Sequence, residues 1–489
     1  MARVWAPSSR SRVRDGFDET AETGVSGPES SEAEGKIPRR KTIFAICAMG
    51  LFMASIDATI VSTALKTIDR ELHSPVNWGS WSITIYQFGQ IIAMPLAGKI
   101  SDQFGRKKVF LISVGVFTAA SLACGLSTSI YMLVSLRFVQ ALGGGAFLPS
   151  ASGIVSDHFG SDRDRALGLF TSIFPIGGIV GPVFGGVITQ DWTWRAIFFI
   201  NIPVGILLVS LGVHFIPKIS PTRSHSIDKT GVLLLAGTLL TGMYGITTLG
   251  DKGSSVISVN FIVAEVFAIT LGYFFVRHSK RDENAFIPFR LLAGKGFGTM
   301  NLINILYGTT ALGFGALVPL YAENRYHISI ANAGTLLSAR AVGMITIAAA
   351  AAFMLRRTGY HLPMIVGFTS IAIGLVMLSI HPPSGFPAYW WLAAWSMLTG
   401  LGMGVSAPAT NNATLQLAPD QVAAIAGQRG MFRQSGGIIY ISIATAILAR
   451  GSSLHLEALI QAHIFLVQAL ILVVMMTLVF RVPNHKGTW

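Results

Sequence analysis

A short basic segment between two long apolar runs decides how this chain folds: Gly98-Lys99-Ile100-Ser101-Asp102-Gln103-Phe104-Gly105-Arg106-Lys107-Lys108. The runs on either side cover about 80–98 and 108–127, and each can cross a bilayer as a helix. So tight a connection needs a residue with the backbone freedom of Gly105. Asp102 can pair with cations or with a helix N-terminus. The segment therefore predicts two membrane helices joined by a basic turn.

The composition of the whole chain extends this interpretation. Of its 489 residues, 52% are hydrophobic and 12% are charged, and the mean hydropathy is +0.59. A water-soluble protein of this size carries about 25% charged residues, so most of this surface must face lipid. The net charge of +13 comes from Lys and Arg in short segments between apolar runs. This pattern is a topology signal and excludes a nucleic-acid partner.

The number of apolar runs predicts an all-α membrane protein. A spanning helix needs about 20 mostly apolar residues, and fourteen runs meet that length. Only Cys47 and Cys124 occur, each inside such a run, so we expect no disulfide, metal site or cofactor. The runs cover approximately 42–64, 80–98, 108–127, 131–152, 166–188, 196–216, 231–249, 257–276, 298–320, 331–354, 361–380, 388–409, 430–449 and 460–481.

Basic residues orient these spans. If both termini are cytoplasmic, the connections and flanks on that side hold 23 Lys and Arg, with Arg429 counted in the connection before the thirteenth span. The opposite connections hold 6. The positive-inside rule therefore predicts two cytoplasmic termini. Residues 1–40 are rich in Ser, Glu and Gly and lack the apolar core of a signal peptide, which predicts a disordered cytoplasmic tail.

The chain also contains an internal repeat. The segment after the tenth span, Leu355-Arg356-Arg357-Thr358-Gly359, is a degenerate copy of the basic turn. Arg356 stands at the position that aligns with Asp102. Repeats of this kind build many secondary transporters. We expect a six-helix bundle at 41–217, a two-helix insert at 228–277, a cytoplasmic loop at 278–297, a second six-helix bundle at 298–482 and a cytoplasmic tail at 483–489.

Charged side chains within spans are the candidates for chemistry. Asp57 lies in the first span, Arg137 in the fourth and Glu265 in the eighth. A carboxylate at membrane depth must take a proton or find a partner, which makes Asp57 and Glu265 proton-carrier candidates. Arg137 would tune a nearby acid or organise a network with Gln140. The alternatives are purely structural: polar bonds between helices for Asp57 and ion pairing alone for Arg137.

Two further sets of residues have a predicted role. Small residues in the fifth span allow close helix packing, and a proline among them would bend the helix: these are Gly168, Gly177, Gly181, Pro182, Gly185 and Gly186. Four polar side chains would line a cavity or pack helices together: these are Tyr86, Gln87, Gln140 and Asn304. No P-loop or HExxH motif occurs. Transport energy would then come from an ion gradient, with protons the simplest choice.

These motifs together resemble the major facilitator superfamily and, within it, the fourteen-span drug:proton antiporters of the EmrB/QacA type. Besides the basic turn and the fifth span, the similar segments are Ile56–Leu65, Leu136–Gly145 and Trp194–Gly205. Two positions depart from the pattern: Lys66 stands where Pro is usual, and Ala141 where Gly is usual. The resemblance extends over about residues 42–480, which contain nearly all of the predicted spans.

The resemblance implies a major facilitator fold of two six-helix bundles plus two extra helices. It implies that Gly98, Asp102, Gly105 and Arg106 form a conformational latch and that the glycine-rich span marks an exporter. The implied partners are protons, the lipid bilayer and a small lipophilic or cationic drug, and the implied location is the plasma membrane, specifically a bacterial inner membrane. No enzyme activity is implied. Two alternatives stay open: a dedicated exporter or importer of one metabolite, and a membrane sensor that transports nothing.

The charge asymmetry makes a prediction about topology. Single Cys substitutions at 277–297, which holds five Lys and Arg, should react with an impermeant thiol reagent only from the cytoplasm. Substitutions at 250–256, which holds one, should react only from outside. Labelling of both segments from the same side would exclude the fourteen-span topology.

Overall fold

The computed structural model describes residues 36–74, 78–218, 228–249, 256–282, 285–419, 421–448 and 454–484, and its regular elements there are all helices. Apolar runs dictate this, because a backbone in lipid must satisfy its own hydrogen bonds. The first part of the chain forms α1 (Lys36–Glu71), α2 (Trp78–Phe104), α3 (Arg106–Gly125), α4 (Ile130–Gly145), α5 (Phe147–Phe159), α6 (Arg163–Thr171), α7 (Ile173–Asp191), α8 (Ala196–Phe199) and α9 (Asn201–Phe215).

The remaining helices form the insert and the second half. The two helices predicted to form an insert are α10 (Lys229–Thr248) and α11 (Val259–Arg281), which pack against each other. A short helix, α12 (Phe289–Ala293), leads into the second half. That half contains α13 (Phe297–Tyr326), α14 (Ile330–Thr358), α15 (His361–Ser379), α16 (Ala388–Leu415), α17 (Val422–Leu448) and α18 (Leu454–Val479).

Each of the fourteen predicted apolar runs overlaps a helix, but the number of spans stays a prediction. Within the described residues, nine helices are long and apolar enough to cross a membrane, or ten if the bent α13 is one span. Some helices outside this group carry charged residues. For example, α17 carries Arg429 and Arg433. Side chains of this kind face other helices and not lipid, so hydropathy alone underestimates such a span.

Helix pairings repeat between the two halves. In the first half α1 packs along α7, and α2 packs along α4. In the second half α13 packs along α17, and α14 packs along α16. One cluster of buried apolar side chains surrounds Phe110 and Phe147 and extends to Val422 of α17, and a second surrounds Phe368 and Phe465 in the second half. This repeated architecture agrees with the internal repeat seen in the sequence.

Hydrogen bonds between the halves cluster at the end of the molecule that carries the α2–α3 turn. Asn411 Nδ2 donates to Thr171 Oγ1 at 2.7 Å, and Gln416 Nε2 donates to Asp164 Oδ2 at 3.1 Å. The Arg165 guanidinium lies 3.6 Å from the centroid of the Phe353 ring. Nearer the middle, Gln434 Nε2 donates to Gln90 Oε1 at 3.1 Å. The halves are therefore closed against each other at this end.

The structure corrects one expectation about helix geometry. Arg429 lies in α17, which begins at Val422, and is only 4% exposed. It is not part of a connecting loop, so it does not count as a topology signal. The fifth predicted span is divided at Ser172, after which α7 runs from Ile173 to Asp191, and the bend expected at Pro182 stays a prediction. At this division the Ser172 hydroxyl donates to Gly168 O at 2.9 Å, which satisfies a carbonyl near the helix end.

A ladder of glycines joins α7 to α1. A Cβ atom built on Gly177 would lie 2.6 Å from Ser55 Cβ. The same atom on Gly181 would lie 2.1 Å from Thr59 Oγ1, and on Gly185 2.4 Å from Thr63 Oγ1. The four-residue spacing on both helices places the contacts along one line, and only glycine permits so close an approach. By contrast, a Cβ on Gly186 would meet nothing within 4 Å, and Gly168 faces Ala352 of the second half.

The ladder predicts a difference between neighbouring glycines. Gly181→Val should lower thermal stability in detergent, because its Cβ would also come within 2.9 Å of the Ile56 carbonyl oxygen. Overpacking of this kind costs about 1–3 kcal/mol. The matched control is Gly178→Val on the same helix, where a Cβ meets nothing within 4 Å. Equal melting temperatures for the two variants would contradict the close packing of α1 and α7.

Candidate functional site

An ion pair lies inside the first half. Asp57, on α1, and Arg137, on α4, are both 0% exposed. Arg137 Nη1 donates to Asp57 Oδ2 at 2.6 Å. The two residues are 80 positions apart in the chain, so packing of α1 against α4 brings them together. Two charges at this depth are tolerable because each neutralises the other.

Amide side chains complete the shell around Asp57. Gln140 Nε2 and Asn201 Nδ2 each donate to Asp57 Oδ1 at 2.9 Å. Both amides also donate to Ser121 Oγ, at 3.1 and 3.0 Å, and the Ser121 hydroxyl donates to Phe198 O. Three donors thus satisfy the two carboxylate oxygens of Asp57. Helices α1, α3, α4 and α9 are thereby connected through one polar network.

Gln140 has a double role in this network. Its Oε1 accepts a hydrogen bond from Arg137 Nη1 at 2.7 Å, while its Nε2 donates to Asp57. Arg137 is also covered by the Tyr86 ring, whose centroid lies 3.9 Å from the guanidinium carbon. An aromatic face stabilises a cation that has lost its water. Arg137 therefore keeps an acceptor and a ring contact independently of the charge on Asp57.

Sequence reasoning missed two members of this shell, Asn201 and Ser121. Asn201 lies in Trp194–Gly205, one of the segments that resemble the fourteen-span antiporters. Ser121 lies in an otherwise apolar run. The available signal was weak: each is a polar residue well inside a hydrophobic helix, which predicts some polar partner but not which one.

Glu265, the second predicted proton carrier, lies apart from the network. It is on α11 and faces α10, where a Cβ on Gly245 would come within 2.7 Å of Glu265 Oε1. That oxygen is buried and accepts no hydrogen bond from the described residues. Its role in coupling therefore stays a prediction, with no contact to Asp57 or Arg137.

The four residues predicted to line a cavity differ in their burial. Tyr86, Gln140 and Asn304 are at most 1% exposed and are enclosed by other side chains. Gln87 is half-buried. In this conformation three of the four hold helices together, and their role as a cavity lining stays a prediction.

The residues of the predicted latch converge on both halves. Asp102 Oδ1 accepts from Arg106 Nε and Nη2, both at 3.2 Å, and Asp102 Oδ2 accepts from Ala424 N at 3.3 Å. Ala424 is in the first turn of α17, where the helix dipole attracts an anion. Arg106 also pairs with Asp157 and donates to Gly153 O at 2.8 Å.

Two glycines make this convergence possible. Gly105 has a φ of 96°, a conformation that favours glycine. Gly98 faces α17 so closely that a Cβ would lie 2.5 Å from Ala423 O. The backbone of α2 thus lies directly against the backbone at the N-terminus of α17.

A third polar cluster anchors the insert. Asp228 accepts hydrogen bonds from Gly231 N, Phe286 N and His278 Nε2, each at 2.8 Å. Burial raises the pKa of Asp228, but these hydrogen bonds outweigh it and hold the pKa below its usual value. With Asp282, Asp228 and His278 could group around a metal ion. Because both Asp228 oxygens already accept hydrogen bonds, the cluster fits a structural anchor better.

Comparison with known proteins agrees with this architecture. The family model described as Major Facilitator Superfamily matches residues 47–440 and 300–489. Multidrug resistance protein 3 of Bacillus subtilis is 29% identical over 358 residues, covering 73% of this chain and 69% of that protein. The riboflavin transporter RibZ of Clostridioides difficile is 27% identical, covering 78% and 81%.

A solved structure shows the same fold. The crystal structure of the human organic anion transporter MFSD10 (TETRAN) has a TM-score of 0.65 at 13% identity and covers 90% of this chain and 99% of that one. The repeated helical halves and the polar network inside the helices define a multi-pass membrane transporter. The chain belongs to the Major Facilitator Superfamily.

The buried pair predicts a specific pattern of stability. Arg137→Leu leaves Asp57 buried without its cation, which should cost about 3–5 kcal/mol and lower the melting temperature in detergent. Adding Asp57→Asn to that variant should restore part of the loss. As a control, Arg195→Leu breaks the half-exposed pair with Glu71 and should cost about 1 kcal/mol or less. Equal losses for Arg137→Leu and Arg195→Leu would contradict the network.

Proposed function

We propose that this protein is a proton-coupled transporter that exports lipophilic compounds by alternating access. The observation that supports this most is the Asp57–Arg137 pair, a titratable group held inside the first half. Structural polar bonds alone need no ionised acid at that depth, because a neutral amide pair would hold the helices at lower cost. A group that carries the coupling proton does need to be a titratable acid. Relatives named as multidrug resistance proteins support the export direction.

The geometry suggests how a proton would load. On protonation, Asp57 loses its attraction for Arg137, and Arg137 keeps the Gln140 Oε1 acceptor and the Tyr86 ring. Arg137 can therefore stay in place while α1 loses its ionic contact with α4. Because α1 lies along α7 through the glycine ladder, a shift of α1 would carry α7 with it. We infer that this movement links the proton to the opening of the halves.

The closed end of the molecule fits the exporter cycle. If the α2–α3 turn is cytoplasmic, as its basic residues predict, the halves are closed toward the cytoplasm in this structure. Asp102 would hold that closure through the first turn of α17. Release of the substrate outward and uptake of a proton would occur in this state. The protein would reside in the plasma membrane of a bacterium.

A dedicated carrier of one metabolite is the second proposal. It is favoured by the similarity to a relative named as a riboflavin transporter, at nearly the same identity as the multidrug relative. Transport assays with several unrelated dyes and with single metabolites would distinguish the two. A sensor that transports nothing would move none of them.

Asp57→Asn tests the coupling role directly. The amide imitates the protonated acid, so substrate should still bind, but export driven by an imposed pH gradient in proteoliposomes should fall at least about tenfold. Proton flux coupled to substrate should be lost in parallel. Glu265→Gln is the matched control, since that carboxylate lies outside the network. Full coupled flux in Asp57→Asn with loss in Glu265→Gln would assign the proton to Glu265 instead.

A further inference from the structure

Three arginines lie inside the second half: Arg340 on α14, and Arg429 and Arg433 on α17. At 1.5 Å per residue, Arg340 is about 15 Å from the start of its helix and Arg433 about 16 Å from the start of α17. These two positions are well inside their helices. Arg429 is one helical turn before Arg433, so both lie on the same side of α17.

These arginines have few partners among the described residues. Both Nη atoms of Arg340 donate to Ala311 O at 3.2 Å, and its guanidinium carbon lies 4.7 Å from the Phe314 ring centroid. Arg433 lies 4.5 Å from the Tyr307 ring centroid. Arg429 is 4% exposed, and its Nη1 makes no hydrogen bond with any described residue. Arg340 and Arg433 meet α13 within one helical turn of each other, at Ala311 and Gly308.

The second half offers little compensating charge. From residue 298 onward the sequence contains three acidic residues, Glu323, Asp420 and Glu457. Glu323 lies near the end of α13 and Glu457 near the start of α18. Asp420 lies outside the described residues, in the connection before α17. None of the ion pairs formed by the described residues involves Arg340, Arg429 or Arg433.

Close helix packing holds two of the cations in place. A Cβ built on Gly308 of α13 would lie 1.8 Å from Arg433 O, and one built on Gly400 of α16 would lie 1.8 Å from Arg340 O. The backbone at each arginine is thus pressed against a glycine of a neighbouring helix. Arg340 and Arg433 are also half-buried and not fully enclosed, unlike Arg137. Fixed, partly accessible guanidinium groups are the arrangement that recognises an anion.

We propose that Arg340, Arg429 and Arg433 bind the anionic group of the transported compound, and that the Tyr307 and Phe314 rings pack against its apolar body. The proposal rests on the transporter function proposed above and specifies its substrate class: an amphipathic organic anion with a carboxylate, sulfonate or phosphate. A bound anion supplies the countercharge that the second half lacks. A cationic drug would meet repulsion here, so the expectation of a cationic substrate is tested by the same experiment.

The test uses two dyes that share a xanthene ring system and differ in charge: fluorescein, an anion, and rhodamine 6G, a cation. Binding to the purified full-length protein in detergent is measured by fluorescence anisotropy at mildly alkaline pH. The wild type should bind fluorescein more tightly than rhodamine 6G. Arg433→Gln and Arg340→Gln should each weaken fluorescein binding about tenfold or more, and neither should weaken rhodamine 6G binding.

Controls separate a lost charge from a lost fold. Arg433→Lys keeps the charge but loses the planar guanidinium, so it should weaken fluorescein binding less than Arg433→Gln does. Arg481→Gln removes an exposed arginine beyond α18 and should have no effect. All variants must elute as single species. Wild-type fluorescein binding that the Gln variants retain, preference for rhodamine 6G, or binding of neither dye would overturn the anion site.

The experiment also distinguishes this proposal from the coupling proposal. Equilibrium binding needs no proton gradient, and Asp57→Asn should bind fluorescein as the wild type does. Loss of dye binding in the arginine variants, together with lost coupling but normal dye binding in Asp57→Asn, would support both proposals independently. Normal dye binding to every arginine variant, with coupling lost in Asp57→Asn, would leave the proton role standing and refute the anion site.

Discussion

The first half is organised by the cost of an ionised carboxylate away from water. Asp57 must be matched by donors, and Arg137, Gln140 and Asn201 provide them from helices that are distant in sequence. Removing any one donor leaves a buried charge under-satisfied, which costs far more than losing one ordinary hydrogen bond. The relative positions of α1, α4 and α9 are therefore determined by polar contacts as much as by apolar packing.

Helix α1 has a different environment on each side. Towards α4 and α9 it presents Asp57 to the polar network, and towards α7 it presents Ser55, Thr59 and Thr63 to the glycine ladder. The ladder brings the two helices into close contact, so α1 and α7 would move as a pair. A change in charge at Asp57 would thus weaken the contacts of α1 with α4 and α9 and leave its packing against α7 unchanged.

The two halves repeat the same helix pairings but differ in charge. In the first half the buried arginine is neutralised by Asp57, and its guanidinium is enclosed. In the second half the arginines have backbone and aromatic contacts without a described carboxylate partner. A similar backbone therefore supports a self-contained ion pair on one side and an uncompensated positive cluster on the other. The two proposals made above assign these to the proton and the substrate respectively.

Much of the fold follows from the sequence because it depends on local patterns. Apolar runs predict helices in a bilayer, and the basic turn with Gly105 predicts a tight connection. The charge of Asp57 and Arg137 at membrane depth identified both as candidates for chemistry. Their identification required no tertiary information, since any ionised group in a span needs a partner. The limits of this method appear at α17, where polar residues facing other helices made Arg429 look like part of a loop.

The partners themselves depended on tertiary structure. Nothing in the local sequence determines that Asn201 rather than another amide reaches Asp57, because that contact joins positions 144 residues apart. The same holds for Asp102 at the first turn of α17, 322 residues away. Helix formation is a property of a segment and its solvent, so the sequence by itself determined the helices and the charges they carry. Which charge is neutralised and which is left without an acid depends on how the helices pack, and only the folded chain decides that.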